Sequence, residues 1–367
     1  MTGDTYPRFR AAAVQAAPVF LDRAATIEKA EGLVAEAADR GADLVVFGES
    51  FVPAFPLWNM LLPPLDQHPF FRRMYDNALT VPGRESAKLA GLAKKYGIFL
   101  SIGVTEKGRV TMGTLWNSNL LFDPKGRLVN HRRKLVPTWA EKLTWGDGDG
   151  SSLSPVETEL GRLGVLICGE NTNPLARYAM LAQGEQVHIS TFPPCWPTKR
   201  EGKGYDLTEA IRIRACAHAF EGKVFNVVAS CALDDGAVEE LSLGDERVAG
   251  ALRSAPPASS FIVGPSGRTE GQPVVGKEGM VVGEIDLSRS VEEKQYHDVL
   301  GHYNRFDIFR LEMSPVRHSP MWVRESGVAT PVEEYATGAV AGKRRKGRKG
   351  HAPPRGEASL ERRPDPR

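Results

Sequence analysis

Cysteine is scarce in this chain: among 367 residues there are four, Cys168, Cys195, Cys216 and Cys231, spaced by 27, 21 and 15 positions, with no C-x-x-C pair and no H-x-x-x-H partner. A zinc site or a disulfide framework is therefore not expected, and no metal is assigned. Long hydrophobic runs are missing too. No stretch approaches the ~20 apolar residues that a bilayer-crossing helix needs, and the opening MTGDTYPRFR has no apolar segment behind its charges. An integral membrane protein is not expected, and the cytoplasm is the expected compartment. Charge of one sign is also lacking, since 47 basic side chains stand against 45 acidic ones for a net +2. That balance is too even for a body that wraps nucleic acid.

What is present is an ordinary globular composition, 41% hydrophobic and 25% charged. A domain of ~300 residues buries about three quarters of the surface its unfolded chain exposes, so the core needs no metal or disulfide to support it. The charge is unevenly placed. Residues 343–367 hold ten Lys/Arg and three acids, so the tail is +7, and +2 less +7 leaves −5 on the rest. GKRRKGRKGHAPPRG has almost nothing to bury and is expected to be disordered. It reads as a solvated tail in preference to a specific nucleic-acid binder.

Up to about residue 310, short apolar runs alternate with longer helical stretches, which predicts an α/β protein with helices covering sheet. RAAAVQAA is a first strand. AATIEKAEGLVAEAADRG puts Ile27, Ala30, Leu33, Val34 and Ala37 on one helical face and stops at Gly41. ADLVVFGES is a continuous apolar strand, and RESAKLAGLAKKYG then IFLSIGVTE repeats the helix–strand order. Residues 107–135 form an antiparallel hairpin turning at Asp123-Pro124-Lys125-Gly126. The α/β pattern then resumes through GRLGVLIC, NPLARYAMLAQG, QVHISTF, LTEAIRIRACAHAFEG, KVFNVVAS, ASSFIVGPSG and GMVVGEIDL. No linker interrupts residues 8–310, which are assigned to one domain. Residues 311–338 are a C-terminal extension at a possible subunit interface, and 339–367 are the basic tail.

Two strand ends carry residues able to do chemistry. Cys168 closes the buried run Leu163–Ile167, just before Asn171-Thr172-Asn173-Pro174 opens a helix. Ligands bind at the carboxyl ends of strands in open α/β sheets, and a helix N-terminus favours a thiolate; a small buried apolar cysteine is the plain alternative. Glu49 ends the run Leu44–Phe47 in the same way. If both strands are parallel members of one sheet, Glu49 and Cys168 share an edge, where a buried carboxylate with a raised pKa can take the thiol proton. HRRKLVPTWAEKLTWGDGDGSSL is the densest polar stretch. One lysine from it, reaching into a pocket, can stabilise an anion beside a thiol. None of His131, His188, His218, His297 and His302 has a spacing that marks it as a base for Cys168, and Gly146, Gly148 and Gly150 form no phosphate loop, because no G-K-[ST] follows.

Glu49 in FGES, Lys134 in HRRKLVPT and Cys168 in LICGEN resemble, in order and separation, the Glu-Lys-Cys triad of the nitrilase (carbon–nitrogen hydrolase) superfamily. PTWAEKLTWGDGDGS followed by CGENTNPLARYAMLAQGEQVHIS is most similar to its nitrilase branch. The resemblance covers roughly residues 8–310. It implies an α-β-β-α sandwich of two stacked sheets with helices outside, no cofactor, a small nitrile substrate, and a homo-oligomer of dimers or more, spirals included. It also implies that Glu141 supports the lysine. An amidase or another C–N hydrolase with the same triad is the alternative. Gly169 departs from the branch, where Trp commonly follows the nucleophile, and leaves more room there. Phe55, Trp58, Trp139 and Phe192, with Trp116 and Trp196, are candidate pocket walls, though core packing explains such aromatics equally well.

Overall fold

Along the first strand, β1 (Arg8–Gln15), alternate side chains meet different neighbours. Ala11 and Ala13 face a second sheet, while Ala12 and Val14 face helices. Both faces of the strand are buried, which is why its sequence is a nearly unbroken apolar run and not an alternation with polar residues. β2 (Leu44–Val46), β3 (Phe99–Lys107), β4 (Leu115–Phe122) and β5 (Leu128–Arg133) belong to the same sheet. β6 (Val156–Thr158), β7 (Gly161–Ile167), β8 (Val187–Phe192), β9 (Phe225–Ser230), β10 (Ser259–Val263) and β11 (Thr269–Val275) form the other. β12 (Gly279–Asp286) returns to the first sheet, pairing antiparallel with all of β1.

The spatial orders are β12-β1-β2-β3-β4-β5 and β11-β10-β9-β8-β7-β6. Within each, the strands that carry helical crossovers run parallel: β1-β2-β3 in one, β7-β8-β9 in the other. The β4–β5 hairpin is antiparallel and turns where expected, with Asp123 Oδ1 accepting from the Lys125 and Arg127 amides.

This computed structural model describes residues 5–198, 205–325, 327–332 and 334. The basic tail expected over 339–367 lies outside the described residues.

Helix α1 (Arg23–Asp39) starts on an Asp22 cap and buries Ile27, Ala30, Val34 and Ala37 against the first sheet. α2 (Trp58–Leu61) and α3 (His68–Asn77) lie in the connection between β2 and β3; α4 (Arg84–Tyr96) follows them and lays Leu89, Leu92 and Ala93 beside α1. On the second sheet, α5 (Pro174–Ala182) covers Leu166, and α6 (Leu207–Gly222) packs Leu207, Ile211, Ala215 and Ala219 with Val228 and Phe261. The layers are therefore helix, sheet, sheet, helix. The sequence pattern does not announce α7 (Asp235–Ser242) and α8 (Glu246–Ser254), because each is under ten residues and is started by its capping Asp234 or Asp245 more than by a long apolar face. A further helix, α9 (Ser288–Tyr296), follows β12.

The described residues divide into two compact units, with the boundary between His318 and Ser319. In the second, β13 (Trp322–Glu325) and β14 (Val328–Pro331) pair as an antiparallel hairpin.

Candidate active site

Four consecutive basic residues, His131 to Lys134, are sorted into two pairs by the period of a strand. His131 and Arg133 point to one side and meet Glu106, at 2.7 and 2.5 Å. Burial works against the Glu106 charge, but these two partners outweigh it and hold the carboxyl down at about 2. Arg133 also lies 3.8 Å from the Trp116 ring, so Trp116 is a platform for the guanidinium. Arg132 and Lys134 point inward and are buried.

The Lys134 amide donates to Asn117 O at 2.8 Å, which keeps the residue in step with β4 beyond the end of its own strand. Its ammonium donates to Glu49 Oε1 at 2.7 Å and to Glu141 Oε2 at 2.6 Å. Asn117 Nδ2 donates to the same Glu49 oxygen at 2.7 Å, and the Thr138 amide to Glu141 Oε2 at 2.9 Å. Ligand-type atoms of Glu49, Glu141 and Cys168 all lie within 4.8 Å of one another. An ammonium touching both carboxylates makes that group a poor cation site.

Glu49 and Cys168 come from different sheets, not from one shared edge: Glu49 follows β2 and Cys168 follows β7. The Glu49 amide donates to Phe192 O at 3.1 Å, which bridges the sheets. The apolar run expected to continue through Ser50 leaves the strand after Val46. A turn replaces it, and β3 makes room with Gly103, where a Cβ would stand 2.3 Å from Gly48 O. Cys168 precedes the Asn-Pro helix start, as expected. It opens its own 3-10 turn, Cys168–Thr172, and Asn173 caps α5 downstream.

Ser50, Trp139 and Cys168 have φ of 49°, 48° and 49°, a left-handed conformation costly for any side chain. All three loops of the site thus carry one strained residue beside a polar group that has to be aimed.

Desolvation governs the charges. Glu49 is raised from 4.5 to about 7 by burial, assisted by Glu141 and opposed by Lys134 and Asn117. Lys134 stays well above its ordinary value because the two carboxylates outweigh its burial. Burial and the Glu49 charge push the Cys168 thiol up. The thiolate favoured by a helix end is therefore not the resting state; a thiol beside a proton acceptor is. Glu49 Oε2 and Glu141 Oε1 are buried without a hydrogen-bond partner among the described residues.

Phe55, Trp58, Phe192 and Trp196 share one buried apolar cluster with Cys168. Trp58 stacks on Phe70 at 5.4 Å, and Phe55 meets Trp145 edge-on at the same separation. Trp139 is different: it is 65% exposed and lines an open groove of about 1090 Å³ with Met60, Leu61, Pro197 and Leu243. Gly169 packs so near Thr138 that a Cβ would lie 2.7 Å from its Oγ1, so the glycine fits a close approach more than it leaves space.

Sequence reasoning passed over Asn117, Glu170 and Asn171. Glu170 Oε2 accepts from the Ile167 amide at 2.7 Å, and its other oxygen from Arg132 Nη2 at 2.6 Å and from the Leu135 amide. The usable signal was a glutamate three residues after a strand end, placed to reach back to a free amide.

The carbon-nitrogen hydrolase family model matches residues 10–295. The chain belongs to the carbon–nitrogen hydrolase family. This hydrolase is 34% identical over 305 residues to a nitrilase of Paraburkholderia phymatum, covering 83% of this chain and 86% of that one. It is 36% identical over 307 residues to a protein named nitrilase 3 from an unknown prokaryotic organism, covering 82% and 89%. Its fold is that of a Saccharomyces cerevisiae member of branch 10 of the nitrilase superfamily, with a TM-score of 0.63, 19% identity, and coverage of 81% of this chain and 97% of the other.

Proposed function

We propose that this carbon–nitrogen hydrolase is a nitrilase that converts a nitrile into the carboxylic acid and ammonia, with Cys168 as nucleophile, Glu49 as general base, and Lys134 and Glu141 as the supporting ion pair. The observation that carries the assignment of roles is the buried Lys134 ammonium, which touches both carboxylates at 2.7 and 2.6 Å while the thiol stands within 4.8 Å of their oxygens.

Glu49 takes the proton of the Cys168 thiol as sulfur attacks the nitrile carbon and passes it to the nitrile nitrogen, which gives a thioimidate and returns Glu49 to its ionised form. Lys134 stabilises negative charge developing on nitrogen. Glu49 next deprotonates a water that adds to the same carbon. Glu49 returns that proton to nitrogen and then relays the hydroxyl proton of the tetrahedral adduct to it, so that the C–N bond breaks, ammonia leaves and a thioester remains. A second water, activated in the same way, releases the acid and returns the proton to sulfur. Glu49 Oε2 and Glu141 Oε1, which have no hydrogen-bond partner among the described residues, supply two acceptors, one for the proton of the thiol or water and one for an N–H of the substrate nitrogen. If the tetrahedral adduct expels sulfur in place of ammonia, the product is the amide.

Purified enzyme should release ammonia from members of an aliphatic, aromatic and arylacetonitrile panel, and should show a mass adduct on Cys168 when quenched. Release from amides alone would replace the nitrilase by an amidase with the same residues. Full turnover by Cys168→Ala would remove the mechanism altogether.

Self-assembly belongs to the same proposal. Tyr303, Phe306, Ile308 and Phe309 leave a run of large apolar side chains exposed near the end of the first unit, and a second copy of this chain would cover it. A monomer by light scattering at all concentrations would exclude that.

A further inference from the structure

Behind the nucleophile lies a buried polar cluster that the reaction above does not use. Asn171 Nδ2 donates to two carbonyls that straddle the bend, Leu166 O and Cys168 O, both at 3.1 Å. Carbonyls only accept, so the amide orientation is fixed and Asn171 Oδ1 must be the atom that faces His188 Nε2 at 2.9 Å. His188 Nε2 therefore carries a hydrogen. Its Nδ1 lies 2.7 Å from Glu185 Oε1, and a carboxylate also only accepts, so Nδ1 carries one too. The other Glu185 oxygen accepts from His218 Nε2 at 2.7 Å, while His218 Nδ1 has no partner among the described residues. All of these side chains are buried.

The hydrogen-bond pattern leaves one positive and one negative charge in the cluster, on His188 and Glu185, with His218 neutral. Burial, then the charge of His188, brings His218 down to about 4. Its histidine partners outweigh burial and hold Glu185 at about 2. Arg177 is the other charged group that acts on His218, and it is paired with Glu221 at 2.6 Å.

We propose that Asn171, His188 and Glu185 are positioning residues for Cys168: a buried imidazolium–carboxylate pair fixes the Asn171 amide, whose two N–H groups hold the left-handed turn that aims the thiol. A side chain at φ 49° persists only where its surroundings over-determine it, and this relay does so within the second sheet while Glu170 ties the same turn to Arg132 of the first. The proposal rests on Cys168 being the nucleophile of the reaction above.

The test compares full-length Asn171→Ala, His188→Leu and His188→Gln with the unsubstituted enzyme, each confirmed as folded by circular dichroism. Two readouts are taken, the rate of Cys168 alkylation by iodoacetamide and the kcat and KM for a nitrile the enzyme hydrolyses. Misplacing a reacting group by about 1 Å costs about 10²-fold. Alkylation and kcat should fall together by about that factor with KM nearly unchanged, and His188→Gln, which keeps a donor for Asn171, should recover part of the loss. Alkylation at the unsubstituted rate in folded Asn171→Ala would overturn the proposal. So would one chelator-removable metal ion per chain, since Glu185, His188 and His218 would then be its ligands. Alkylation needs no nitrile, so a failure to find any hydrolysed nitrile counts against the function and leaves this relay decided on its own readout. If the variants do not fold, 15N spectra of the histidine-labelled enzyme decide: the hydrogen-bond geometry expects a hydrogen on each His188 nitrogen, and a bare Nε2 facing Asn171 overturns the assignment.

Discussion

Glu170 and Arg132 meet at 2.6 Å between the two sheets, the glutamate two residues beyond Cys168 and the arginine two residues before Lys134. Both are buried, so the pair is a tie between the loop that carries sulfur and the strand that carries the ammonium. Hydrogen bonds to charged groups are worth about 1.5–3 kcal/mol. Glu170→Gln should lower the urea midpoint by a corresponding amount and reduce kcat, because the distance between Cys168 and Lys134 is then less well held. Unchanged kcat with a lower midpoint would limit the tie to stability.

Glu49 gives activity and stability opposite pH dependences. In the fold its carboxyl keeps its proton to about 7, against 4.5 for the unreacted reference group. A raised folded value means that its stabilising contribution is complete below the unfolded pKa and is lost as pH rises through the folded one. Base catalysis needs the ionised form, so kcat/KM should climb over the limb near 7 where that contribution disappears. Glu49→Gln should lose about 10²–10⁴ in rate and flatten the stability change. Parallel melting and rate profiles from about pH 5 to about pH 8 would show both.

Lys134→Met should be the most damaging single change to the fold. It leaves two buried carboxylates facing each other without a cation, and breaking a buried pair costs about 3–5 kcal/mol. Adding Glu141→Gln should return part of that. A double variant no more stable than Lys134→Met, by denaturant unfolding, would mean that the carboxylates had already taken up protons.

Gly169 and Thr138 should couple. An alanine at 169 brings a Cβ to 2.7 Å from Thr138 Oγ1, so Gly169→Ala alone should slow turnover. Combined with Thr138→Ala it should recover, a departure from additivity that a double-mutant cycle measures. Simple additivity would show that the glycine is needed for some other reason.

What the sequence made visible follows from strand periodicity. The runs at Leu44–Phe47 and Leu163–Ile167 had to be buried strands, so the polar residue that ends each was conspicuous. The basic stretch offered a lysine without saying which, and Lys134 was singled out only by the resemblance of HRRKLVPT to the family's triad. Which sheet each strand joins was not visible, because β2 and β7 look alike as apolar runs and differ only in partners far along the chain. Asn171, Glu185 and His188 looked like any loop amide, loop acid or solitary histidine. Their partners are drawn together by the packing of β8 against β7, a long-range event with no local mark. Trp139, named as a candidate wall, lines the open groove at 65% exposure, and no local propensity foretells its positive φ.

The division of the site between two sheets also has a consequence in time. The first sheet is completed by β12, whose residues 279–286 come more than a hundred positions after Cys168, and the thiol meets the Glu49 carboxylate only when that sheet and the second are docked. A ribosome that has delivered Cys168 has not yet delivered the strand that closes the framework under Glu49. The emerging polypeptide therefore carries the thiol apart from that framework until β12 has been made.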